Sequence, residues 1–246
     1  MFTLKRYFLL PACCILLFVG CALLKGDKES NENVAQAEEV EKPEEPKGER
    51  VLIQTEYGDM IVELHDETPI HKENFLKLAG SGFYDSTLFH RVINGFMIQG
   101  GDPDSKGAPA GMRLGNGGPD YTLEAELDTT LIHKKGALAA ARKGDGVNPE
   151  KRSSGSQFYI VQGKIFNDAG LDKMERNIRQ SNPGFSYTEE QREIYKTIGG
   201  TPHLDMGYTV FGQVVEGVNV IDSIAAVRTR GSRPVEDVIM TMEIIE

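Results

Sequence analysis

The chain is predicted to fold as a mainly β protein, a closed antiparallel barrel capped by two helices and carrying a helical loop insertion. Three observations point there. Short apolar runs recur at 88–98, 136–141, 157–161 and 208–215, separated by Gly-rich turns. Only two amphipathic helical stretches lie among them, too few for alternating βαβ units. One long segment, 167–200, is polar and helix-prone and breaks the strand rhythm.

In chain order, VLIQTEYGDMIVEL at 51–64 reads as two alternating runs joined at Tyr57-Gly58-Asp59, a β-hairpin. Thr68-Pro69 opens the first helix with an N-cap residue and a proline in its first turn. Ile70, Phe75, Leu76 and Leu78 give that helix its apolar side, and Gly80 ends it. In the insertion, Ser181-Asn182-Pro183-Gly184 separates two short helices, and Thr188 followed by Gln191 has capping-box spacing. The insertion holds too few apolar residues for a core of its own, so it is no second domain. The second capping helix runs from Val218 to about Ala226, with Val220, Ile221 and Ile224 at helical spacing, and the last strand is Asp237 to Ile245.

Composition narrows the function classes. The 246 residues carry a net charge of −10, which argues against a phosphate-backbone grip on nucleic acid. MFTLKRYFLLPACCILLFVGC at the N-terminus places Lys5 and Arg6 before an apolar run and ends in Gly20-Cys21. The run is short for a membrane span and fits a signal-peptide core, and its end resembles a bacterial lipoprotein signal with Cys21 as the lipidated residue. An uncleaved anchor helix through Leu24 is the alternative. The resulting division is a signal over 1–20, an acidic tether over 21–50, and a folded domain over 51–246. The tether lacks aromatic residues and apolar periodicity, so it is expected to stay disordered. All three cysteines, Cys13, Cys14 and Cys21, lie in the leader, which excludes a disulfide framework in the folded part. The expected location is the bacterial cell envelope, with the chain membrane-bound through its lipid and monomeric.

The stretch FHRVINGFMIQGGD, 89–102, sets Arg91 among apolar residues with Gln99 close behind and a Gly-Gly-Asp turn after it. Read by itself, Arg91 is an arginine at a strand edge reaching solvent. The stretch resembles the core signature of the cyclophilin-type peptidyl-prolyl isomerases, however, and the likeness continues in order. TPIHKENFLKLAGSGFYD is similar to the family's first helix, GNGGPDYTLEAEL to its Gly-rich loop, GALAAAR and SSGSQFYI to its next strands, and HLDMGYTVFGQVVEGVNVIDSI to its closing loop, strand and helix. Together they span 51–246 apart from the insertion.

This resemblance implies an eight-stranded barrel capped by two helices, and rotation of the peptide bond before proline. No bond is broken in that reaction, so no nucleophile, metal or redox cofactor is required. The resemblance implies Arg91 as the catalytic donor to the prolyl nitrogen. It implies Phe96, Met97, Tyr159 and Leu204 as the proline pocket, although apolar residues of this kind also serve as plain core. Gln99 matches a position that hydrogen-bonds the substrate backbone, Ala141 and Arg142 the strand that holds the residue before proline, and Gln157 a groove-lining or structural glutamine. Three positions depart from the common pattern: Tyr159 replaces phenylalanine, His203 stands where many members carry tryptophan, and Tyr208 takes the place of a histidine. His65, His71, His90, His133 and His203 show no metal-ligand spacing, and Gly-rich 107–118 lacks a P-loop ending. The expected partners are proline-containing polypeptides. A peptide-binding or chaperone module with little catalysis is the rival reading, because gripping a prolyl bond and rotating it use one groove.

Overall fold

The computed structural model describes residues 49–245; the leader, Cys21 and nearly all of the tether lie outside the described residues. In order, the elements are β1 (Arg50–Thr55), β2 (Gly58–Leu64), α1 (Pro69–Gly80), β3 (Thr87–Leu88), β4 (Arg91–Ile93), β5 (Met97–Gly100), β6 (Thr122–Leu123) and β7 (Ala137–Ala140). There follow β8 (Ser153–Ser154), β9 (Phe158–Val161), α2 (Asp168–Ile178), α3 (Glu189–Thr197), β10 (Val210–Glu216), α4 (Val218–Ala225), β11 (Thr229–Arg230), β12 (Arg233–Pro234) and β13 (Ile239–Ile245). Nine strands form one curled antiparallel sheet in the order β3-β13-β1-β2-β10-β7-β9-β5-β4. Among the described residues the fold is therefore mainly β, with four α-helices, two of them in the insertion.

The folded part starts earlier than the alternation in 51–64 suggested. Arg50 already pairs with Ile245 and Glu63 in the sheet, and its guanidinium reaches the Glu63 carboxylate at 2.7 Å. Glu49 accepts a backbone hydrogen bond from Leu64. The hairpin turn is also one residue off. Gly58 pairs with Thr55 at a φ of 122°, a conformation glycine adopts without a Cβ clash, so Glu56 and Tyr57 make the turn.

α4 buries its expected periodic face, whereas α1 buries only Phe75 and Leu78 of the four residues expected. In α4 the buried residues are Val220, Ile221, Ile224 and Ala225. In α1 they are His71, Phe75, Leu78 and Ala79, while Ile70 is 42% exposed; the position one turn before Phe75 belongs to His71 instead. Phe75 anchors an aromatic cluster in the main core, edge-on to Phe158 at 5.6 Å and to Phe211 at 5.4 Å.

The N-terminus of α1 is capped from a distance. Thr68 occupies the N-cap position but makes no side-chain cap bond. The Glu126 carboxylate accepts from the Ile70 and His71 amides, both at 3.0 Å, and lies 2.6 Å from His71 Nδ1. A carboxylate there satisfies amides that no turn of helix precedes and faces the positive end of the helix dipole.

In the insertion, Thr188 and Gln191 form the anticipated reciprocal capping box on α3. The segment builds a small cluster only together with the parent fold. Leu171, Ile178, Phe185, Tyr187 and Tyr195 are buried together, completed by Ile132 from the parent fold. Aromatic residues build much of this cluster, and the borrowed Ile132 makes it a satellite core. Replacing Glu126 by alanine should lower stability by about 2 kcal/mol, read as a shifted urea midpoint with unchanged slope, because two helix amides and the His71 ring lose their acceptor.

Candidate active site

The period-two pleat of the sheet sorts side chains to two faces. Val92, Ile98, Ile160 and Leu138 stand in register on the face that joins the main core. On the other face Arg91, Gln99, Tyr159, Ala139 and Val210 form a row across β4, β5, β9, β7 and β10. Met97, Ala137, Ala139, Tyr159, Val161, Leu204 and Val210 pack into a second apolar cluster there, with Phe96, Ala141 and Tyr208 at its margin. Phe96, Met97, Tyr159 and Leu204, separated by up to 108 positions in sequence, thus meet at one surface.

Arg91 lies half-buried at one end of this row. Its Nη1 donates to Gln99 Oε1 at 2.9 Å and sits 3.8 Å from Met97 Sδ, and its guanidinium carbon is 5.9 Å from the centre of the Phe96 ring. Gln99 Nε2 in turn donates to Gln157 Oε1 at 3.1 Å, and Gln157 Nε2 to the Gly117 carbonyl at 2.7 Å. Gln157 is 6% exposed, which favours the structural of its two expected roles. The chain of amides leaves one orientation for Gln99 and aims its oxygen at the guanidinium. Five N–H groups belong to arginine, so the others remain for a ligand.

Gly117 is itself held. Asp102, fully buried, accepts from the amides of Gly115 and Asp104 and lies 3.4 Å from that of Gly117. A Cβ on Gly117 would come within 2.2 Å of the Asp102 carboxylate, and one on Gly101 within 2.3 Å of the Ser156 carbonyl. The Gly-Gly-Asp turn after β5 is therefore a close-packed hinge between β9 and the Gly-rich loop.

The departures at 159, 203 and 208 each have a local partner. The Tyr159 hydroxyl is 3.0 Å from His133 Nε2, and burial pushes its pKa well above the ordinary tyrosine value. With its hydroxyl bonded inward, Tyr159 contributes its aromatic ring to the apolar cluster, much as phenylalanine would. The His203 ring, at the rim, lies 5.5 Å from the Phe96 ring, and desolvation there lowers its pKa. Tyr208 stands edge-on to Tyr159 at 5.9 Å, under the Arg142 guanidinium at 4.4 Å.

Arg142 is committed elsewhere, donating to the Gly207 and Lys143 carbonyls and to Asp145. The Ala141 amide donates to the Gln157 carbonyl, and its own carbonyl accepts from Ser154. Residues 141 and 142 thus brace the strand ends beside the second apolar cluster. His133, Asp205, Gln157's partner Gly117 and Asp102 were not singled out as site residues from sequence. Tyr159 was the available signal, since a buried hydroxyl needs a partner, but sequence does not say which.

Comparison with known proteins agrees with this geometry. The family model described as cyclophilin type peptidyl-prolyl cis-trans isomerase/CLD matches residues 50–244. The chain belongs to the cyclophilin family. A protein of Staphylococcus epidermidis, provisionally named a peptidyl-prolyl cis-trans isomerase, is 36% identical over 193 residues, 78% of this chain and 88% of that one. A Streptococcus pyogenes protein, provisionally named a bifunctional phosphatase/peptidyl-prolyl cis-trans isomerase, is 39% identical over 204 residues; the match covers 81% of this chain and 39% of that protein. Among solved structures, a cyclophilin type peptidyl-prolyl cis-trans isomerase of Cryptosporidium parvum superposes with a TM-score of 0.56 at 26% identity, over 80% of this chain and 98% of its own. The same protein has been crystallised in the presence of the dipeptide Ala-Pro.

Changing Gln157 to methionine keeps the side-chain length but cuts the link between Gln99 and Gly117. We expect kcat/KM toward a prolyl peptide to fall about tenfold, with Arg91 still present, when measured by peptide exchange at fixed temperature.

Proposed function

We propose that this cyclophilin accelerates cis/trans rotation of Xaa-Pro bonds in exported proteins, using the face of the sheet that carries Arg91. The observation that carries the reading is the Arg91 guanidinium held by Gln99 at the edge of an apolar cluster. Amide resonance imposes a barrier of about 18–20 kcal/mol. In the twisted state the prolyl nitrogen becomes pyramidal and its lone pair is available as an acceptor. A guanidinium N–H aimed at it binds that state better than the planar amide, which is the condition for acceleration.

The remaining residues position the substrate. Phe96, Met97, Tyr159 and Leu204 take the pyrrolidine ring, and the apolar surroundings strengthen the contact made by Arg91. Gln99 holds Arg91 through its oxygen and meets the substrate backbone at the same edge, while Ala141 and Arg142 border the residue before proline.

The sheet is best regarded as a closed eight-stranded barrel. β3 and β4 stand at opposite ends of the strand order yet are separated in the chain by Phe89 and His90 alone, so 87–93 acts as one bent strand shared by both ends. Export rests on the leader. Lys5, Arg6, the apolar run and Gly20-Cys21 support lipid attachment at Cys21, with the 21–50 tether spacing a monomeric domain from the membrane of the cell envelope.

The reading is tested by following cis/trans exchange of an Ala-Pro peptide by NMR with the wild type and Arg91→Ala. The wild type should accelerate exchange and the variant should lose about 100-fold or more while still binding the peptide. A folded wild type without acceleration overturns the catalytic reading in favour of a peptide-binding module. Export is tested separately: Cys21→Ala should move the chain from the membrane fraction to the soluble or secreted fraction, and a variant that stays membrane-bound points to an uncleaved anchor.

A further inference from the structure

Behind the pocket, a buried chain of hydrogen bonds runs from the Tyr159 ring to the insertion. The Tyr159 hydroxyl meets His133 Nε2 at 3.0 Å, and His133 Nδ1 meets Asp205 Oδ1 at 2.7 Å. The same Asp205 oxygen accepts from the His133 amide at 2.8 Å. Its other oxygen accepts from the Tyr187 hydroxyl at 2.7 Å and the Tyr195 hydroxyl at 2.6 Å. All five residues are buried, His133 and Tyr195 completely.

The directions are set by the acceptor. A carboxylate only accepts, so His133 Nδ1 carries the proton it shares with Asp205. In the neutral ring Nε2 is then the acceptor, and Tyr159 donates to it. The Tyr187 hydroxyl also lies 3.1 Å from the Pro202 carbonyl, but its single hydrogen goes to the nearer, charged carboxylate. Every donor therefore converges on Asp205, and the pocket tyrosine is oriented through the histidine.

Asp205 also ends the one-turn helix Pro202–Leu204, which brings Leu204 to the pocket and His203 to its rim. That turn follows directly from the exit of the insertion. Gly200 is bridged to both Lys134 and Lys164, and a Cβ on it would come within 2.2 Å of the His133 carbonyl. The Thr201 amide donates to that same carbonyl at 2.8 Å. The insertion's two tyrosines, its exit and the Leu204 turn all meet at His133 and Asp205.

We propose that His133 and Asp205 are positioning residues of the isomerase, through which Tyr187 and Tyr195 make the 167–200 insertion the element that fixes the proline pocket. The inference rests on the assignment of the Tyr159–Leu204 surface as the prolyl site. The insertion acts from behind the pocket and touches no substrate. Its effect is on how well the pocket fits proline, so it is read in peptide affinity and KM, with kcat at Arg91 nearly unchanged.

The test is a double-mutant cycle in the full chain, combining Tyr159→Phe with Tyr195→Phe. Ala-Pro peptide Kd, KM and kcat are measured for all four proteins. Each single change should raise Kd and KM about 3- to 10-fold, and the double variant should be no worse than about the weaker single, because both hydroxyls act through the same His133–Asp205 pair. Ile178→Val, in the insertion core but without a polar link to Asp205, serves as the control; it should lower thermal stability and leave Kd unchanged. Additive effects of the two tyrosine changes, or unchanged Kd and KM in both singles, overturn the proposal, as does an Ile178→Val variant that weakens peptide binding equally. The catalytic reading fails separately: a wild type that binds the peptide without accelerating exchange overturns it while the cycle in Kd still decides this inference. A wild type that does neither overturns both.

Discussion

The structure depends on the two-residue pleat of five neighbouring strands, β4, β5, β9, β7 and β10. One set of alternate residues is buried in the main core, and the other makes the surface that bears Arg91. A one-residue slip in any of these strands exchanges the two sets, so the register that stabilises the fold also assembles the site. Burying Val92, Ile98, Ile160 and Leu138 obliges Arg91, Gln99 and Tyr159 to the opposite face. The site needs no separate folding element to bring its first residues together.

Alternation alone leaves the polar side chains free to rotate, and a second layer removes that freedom. Asp102 gathers the amides of the Gly-rich loop, Gly117 accepts from Gln157, and Gln157 turns Gln99 toward Arg91. Arginine loses considerable rotamer entropy when ordered. Holding it before substrate arrives means that this entropy is not lost in the reaction itself. The glycines at 101 and 117 matter because the carbonyl and carboxylate that order this layer approach closer than any Cβ allows.

The insertion shows how an appended segment acquires structure without becoming a domain. Its helices close on Ile132 of the parent fold, and its tyrosines find their acceptor in Asp205 outside the segment. A buried carboxylate is costly unless several donors reach it. Four do here, two of them from the insertion. The replacement of phenylalanine by Tyr159 belongs to the same arrangement, since His133 supplies the acceptor that a buried hydroxyl requires.

By itself the sequence determined the mainly β class, both capping helices, the split helical insertion with its capping box, and the family motifs carrying Arg91, Phe96, Met97, Gln99, Tyr159 and Leu204. These are local or repeated patterns: period two, period 3.6, cap spacing, and short motif strings that read along the chain. Only the tertiary structure decided that Glu126 rather than Thr68 caps the first helix, that Arg142 and the backbone of Ala141 are already engaged, and that His133 and Asp205 tie Tyr159 to Tyr187 and Tyr195. Apart from Arg142's short reaches to Lys143 and Asp145, each of these is a partnership across 10 to 72 residues. Side chains of the same type occur throughout the chain, and which donor meets which acceptor follows from how the strands and the insertion fold back on one another, a distance that no spacing in the sequence encodes.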